Sequence, residues 1–121
     1  MAKDDYHVIV YQILSYLYVQ LKSGKPVQSD MISADSELYK INQEYWKFII
    51  MSLKQEGYIS GVTTDVKHWM SGDTLVIENL ENCRITPKGI DYLVDNSFMK
   101  KAKQLLDSAA SIAPWAGLVI H

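Results

Sequence analysis

The sequence is poor in the residues that metal sites, disulfides and membrane anchors require. It has one cysteine, Cys83, which excludes an intramolecular disulfide and fits a reducing cytosol. Its three histidines, His7, His68 and His121, lie far apart, with no Cys-x-x-Cys or His-x-x-x-His spacing, so no metal site is expected. No apolar run reaches the ~20 residues of a membrane span. Asp4 and Asp5 stand where a signal peptide has its basic region, and no small-residue cleavage site follows. The chain is therefore expected to stay in the cytoplasm, away from membranes. Positive charge is also scarce. Twelve lysines and arginines face 14 carboxylates, for a net charge of −2, which argues against a generally basic nucleic-acid coat but not against a local basic face. Gly57 and Gly61 follow a helical pattern rather than precede one, the wrong order for a dinucleotide loop. No carboxylate stands with a candidate nucleophile. Neither enzymatic activity nor a cofactor is expected.

Apolar residues make up 48% of the 121 positions, enough for one folded domain with one core. Eight tyrosines and three tryptophans add large contact surfaces, some of which can serve an interface. The clearest signal runs from Ile41 to Val62. Ile41, Tyr45, Phe48, Ile49 and Leu53 recur at helical spacing, widened by Trp46 and Ile50. Asn42 is a suitable N-cap and Gly57 a suitable stop. Tyr58 to Val62 then suits a strand.

Before this stretch, Tyr6, Ile9, Val10, Ile13, Leu14, Leu17 and Leu21 predict a broadly apolar helix opened by Asp4 or Asp5 and closed at Ser23-Gly24-Lys25-Pro26. A short helix is expected around Ser29 to Ser33, followed by a turn through Ala34-Asp35-Ser36. After it, Thr63 to Asp73 reads as polar and turn-rich. Thr74 to Ile77 and Cys83 to Ile85 read as strands interrupted near Glu78–Asn82, together forming a wing. Thr86 caps a further helix with Pro87 at its first position. Ser97 is expected to cap a last helix with Phe98, Ala102, Leu105, Leu106, Ala109 and Ile112 on its apolar side. The fold class expected is α+β, mostly α: a winged helix-turn-helix with additional C-terminal helices. One domain is expected over 1–112, with an apolar tail over 113–121.

Several elements together resemble the YjcQ-like family. They are Glu44-Tyr45-Trp46; Leu53 with Glu56-Gly57-Tyr58-Ile59 and Gly61-Val62; Arg84-Ile85-Thr86-Pro87-Lys88-Gly89 with Tyr92-Leu93; and Asn96-Ser97 with Met99-Lys100-Lys101-Ala102. The resemblance covers about Ile41 to Ile112. It implies small winged-helix proteins of Gram-positive bacteria and their prophages, and it implies little about activity. The Ile-Thr-Pro-Lys-Gly element alone is similar to the sequence that follows the wing in many bacterial winged-helix regulators.

Lys40, Lys47 and Lys54 are spaced by seven, so on one continuous helix they share a stripe, with Asn42 and Gln43 beside it. The leading expectation is double-stranded DNA binding in a transcription-related role. The longer helix would enter the major groove, the lysines would reach phosphates, Asn42 and Gln43 would lie near bases, and Lys67 and His68 would touch flanking backbone from the wing. The alternative is a winged-helix module that binds protein through tyrosine and tryptophan surface. It requires an exposed apolar patch around Trp69 or Trp115. DNA binding requires the lysines to share an open face with the wing, clear of Asp65 and Asp73. A homodimer through the first and last helices is expected.

Overall fold

The structure, a computed structural model, describes residues 6–108. The expectations on Asp4, Asp5, Ala109, Ile112, Trp115 and the apolar tail lie outside these residues. Helix α1, Tyr6–Ser23, is the centre of the core. Val8 to Tyr11 and Ile13 to Leu17 are all buried, so the helix is covered around most of its circumference by the helices over Pro87–Asp95 and Ser97–Ser108 and the strand over Arg84–Ile85. Beyond it, the Gln28 N–H donates to the Tyr16 hydroxyl at 2.9 Å, which ties the following loop to the helix. Tyr16→Phe should lower stability by about 1 kcal/mol, the usual net worth of one hydrogen bond, in a urea titration.

The expected short helix is a single 3₁₀ turn, Ser29–Met31. The serines that follow explain why it stops. The Ser33 hydroxyl donates to the Asp30 carbonyl and the Ser36 hydroxyl donates to the Met31 carbonyl at 2.7 Å, while accepting from the Leu38 N–H at 3.0 Å. Such local bonds compete with helical continuation.

Helix α2, Gln43–Gln55, begins and ends as its sequence predicts. The Asn42 side chain accepts from the N–H groups of Glu44 and Tyr45, and Gly57 takes φ +82° just past the last turn. Its buried face is Trp46, Ile49, Ile50 and Leu53. Phe48, expected on that face, is 60% exposed. It stands two residues from both Trp46 and Ile50, about 200° around the helix from each. The indole N–H of Trp46 donates to the Ile32 carbonyl at 2.7 Å and pins α2 to the serine-rich turn.

The chain then forms one long antiparallel arm in two stages. Strand β1, Ile59–Ser60, pairs with β4, Arg84–Ile85. Strand β2, Thr63–Trp69, pairs with β3, Gly72–Glu78. From Ser60 to Thr63 the outgoing arm advances three residues, whereas the returning arm takes six from Glu78 to Arg84. The surplus is taken up by a 3₁₀ turn, Leu80–Asn82, entered through Asn79 at φ +64°. The interruption expected near Glu78–Asn82 is thus a fold in the returning arm. The true tip is Met70-Ser71, and the turn-rich reading of Thr63 to Asp73 gives way to a seven-residue strand. Gly72 at φ +129° closes the tip in a conformation open mainly to glycine.

Helix α3, Pro87–Asp95, is capped by Thr86, whose hydroxyl accepts from the Gly89 N–H at 3.0 Å and donates to the Gly57 carbonyl. Helix α4, Ser97–Ser108, is capped by the Asn96 carboxamide rather than by Ser97. On α4, Met99 and Ala102 are buried while Phe98 and Leu105 are about half exposed. The architecture is α+β and mostly helical, and among the described residues α1 to α4 and the inner strands share one core.

Candidate interaction surface

The seven residues singled out for DNA contact do not form one basic face. Lys40 precedes α2, so the helical period that would align it with Lys47 and Lys54 does not reach it. Lys40, Gln43 and Lys54 are exposed. Asn42 is exposed too, with its carbonyl oxygen engaged in the cap. The Lys47 side chain is only 15% exposed, and its ammonium lies 3.4 Å from the Glu44 carboxylate. On the hairpin, Lys67 stands between Asp65 at 3.6 Å and Glu78 at 3.8 Å. His68 meets Asp73 through Nδ1 at 2.9 Å. Each cationic or protonatable side chain carried by β2 is therefore matched by a carboxylate.

Apolar surface occupies the space between them. Trp69 at the end of β2 is 60% exposed, Met70 is fully exposed, and Val66 is about half exposed. Trp69 has no side chain opposite it to pack on, because its cross-strand partner is Gly72. Trp69→Ser and Met70→Ser should each change stability by less than about 0.5 kcal/mol in thermal unfolding, as expected for exposed positions.

The side of α2 that faces the hairpin forms a groove enclosing about 360 Å³ with β3. Glu44, Lys47, Phe48 and Met51 come from the helix, and Asp73, Thr74 and Leu75 from the strand. The sequence marked Lys47 and Asp73 separately. It gave no sign of their sharing a cleft, nor of Phe48 and Met51 as surface residues. Alongside, Phe48 packs at 6.1 Å from the Tyr6 ring, and His7 stacks on Phe98 at 4.3 Å, so the start of α1 bridges α2 and α4 with aromatic surface.

A second cavity of about 420 Å³ lies where the end of α1 meets β4, with Leu17, Leu21 and Val27 beside Cys83. Burial pushes the Cys83 thiol up to about 12. It is thus a packed thiol rather than a nucleophile. It should resist a thiol-specific chromogenic reagent at pH 8 in the folded protein and react at once in denaturant. Among the described residues, no group of three or more His, Cys, Asp or Glu side chains is placed to hold a metal ion. No helix among them is long and apolar enough to cross a membrane.

These features define a small, mostly helical α+β protein whose prominent surface is an arm and a cleft. A family model described as YjcQ protein matches residues 11–110, and the chain belongs to that family. Comparison with curated proteins and with solved structures gives no match.

Proposed function

We propose that the chain is a winged helix-turn-helix module that docks a protein partner through α2 and the hairpin. The helix–turn–helix–hairpin order of α1, the 3₁₀ turn, α2 and β2–β3 supports the winged-helix reading. The observation that carries the docking reading is the composition of the hairpin. Lys67 and His68 stand against Asp65, Glu78 and Asp73, while Val66, Trp69 and Met70 face solvent. A wing built to follow a phosphate backbone needs uncompensated cations, and an interface core favours aromatic residues and methionine. Fluorescence anisotropy of labelled random duplex DNA, at two salt concentrations, tests this. No salt-sensitive binding is expected, and its appearance would overturn the docking reading.

Duplex DNA remains the second reading, favoured by the exposure of Lys40, Gln43 and Lys54 along the outer side of the helix-turn-helix. Three phosphate contacts per chain give a log–log salt slope of about −3. Under that reading, changing Lys40, Lys47 and Lys54 together to Gln weakens binding and flattens the slope with the fold intact. Homodimerisation belongs to the same proposal, resting on the half-exposed Phe98 of α4, and light scattering of Phe98→Ser against the parent chain checks it.

A further inference from the structure

We propose that the groove between α2 and β3 receives a segment of a partner protein in which a Lys or Arg adjoins a bulky apolar residue. This rests on the docking reading and gives the partner a chemistry.

The groove has two kinds of wall. Phe48, Met51 and Leu75 supply apolar surface. Val66 pairs directly with Leu75 across the hairpin and projects on the same side, so the apolar strip extends across the arm. Glu44 stands on the helix wall and Asp73 on the strand wall, their side chains 80% and 64% exposed. Among the described residues Lys47 is the one lysine or arginine in the lining, largely covered and turned to Glu44, and His68 touches Asp73 across the hairpin. Lys67 lies on the opposite face of the hairpin, between Asp65 and Glu78. The cleft therefore presents an excess of carboxylate beside exposed apolar surface. An anionic ligand meets repulsion there. A Lys or Arg meets acceptors on both walls, and an adjoining large apolar side chain covers Phe48, Met51 and Leu75.

Selection from a random dodecapeptide display library on the immobilised full chain tests the assignment, followed by affinity measurement on the variants Glu44→Gln/Asp73→Asn and Phe48→Ser. All three positions are exposed, and circular dichroism verifies that the variants stay folded. Peptides pairing Lys or Arg with a bulky apolar residue are expected to be enriched. Their affinity should fall about tenfold per carboxylate removed, the scale of a charge-assisted hydrogen bond. It should fall by a similar factor with Phe48→Ser, and high salt should weaken the parent more than the double variant. Acidic peptides, or basic ones that bind parent and variants equally, overturn the groove assignment. If those peptides instead lose affinity with Trp69→Ser or Met70→Ser, docking at the tip stands without the groove. No enrichment also overturns the groove, and the DNA titration then decides whether the wider docking reading falls with it.

Discussion

Trp46→Ala should leave the protein largely unfolded at 25 °C. The indole is 4% exposed within the hydrophobic core, and its N–H donates to the Ile32 carbonyl. Truncating a buried tryptophan costs about 3–5 kcal/mol through lost burial and the cavity left behind. The stranded Ile32 carbonyl adds about 1–3 kcal/mol of unsatisfied acceptor. Together these rival the ~5–15 kcal/mol that holds a domain of this kind together. Trp46→Phe separates the two contributions, because it keeps most of the apolar contact and removes only the donor along with part of the volume. Its loss in a urea titration should be roughly half that of the alanine variant. Equal losses from the two variants would mean that the hydrogen bond, not packing, holds α2 to the turn.

Gly61→Ala should destabilise the protein strongly. Gly61 has φ +90°, where an alanine is strained by about 1–2 kcal/mol before any contact is considered. Its Cβ would also run into the backbone carbonyl of Asn82 on the returning arm. Neither arm can yield easily, since β1–β4 pairing fixes one side of the crossing and β2–β3 pairing the other. A loss of about 3 kcal/mol or more is expected, lowering the melting temperature by roughly 12–20 °C. Gly24→Ala is the control. Gly24 has φ +67° with nothing near the position of an added Cβ, so only the conformational strain of about 1–2 kcal/mol applies. Similar losses at the two sites would show that the Asn82 contact is relieved by movement.

Most of the helical scaffold was legible because its signals are local. Asn42, Gly57, Thr86 and Pro87 bound their helices through bonds or dihedrals reaching only a few residues, and the apolar run of α1 is broad enough to require burial. What failed depended on partners distant in sequence. Whether Thr63 to Trp69 is a strand rests on pairing with Gly72 to Glu78, and its many polar residues conceal this because the hairpin buries neither face well. Phe48 follows Tyr45 by three residues, a helical spacing, yet it lies about 200° around the helix from the buried Trp46 and Ile50. The ring lies on the opposite side and finds its company in Tyr6 at the start of α1. The lysine spacing was real in sequence, but Lys40 stands outside the helix and Lys47 is held by Glu44. The groove was not legible at all, since its two walls come from elements whose adjacency no local pattern records.

The offset at Leu80–Asn82 makes the outer hairpin a ruler. Seven cross-strand pairs run from Thr63↔Glu78 to Trp69↔Gly72, so at ~3.4 Å per residue the arm carries Trp69 roughly 20 Å along its length from Thr63. The inner pairs Ile59↔Ile85 and Ser60↔Arg84 follow their own register and hold that length at its base. Removing Lys67-His68 and Asp73-Thr74 together would shorten the reach by about 7 Å while every remaining side chain keeps its face. Under the docking proposal, a partner that touches both the tip and the base of the arm at Thr63 and Glu78 must match that span.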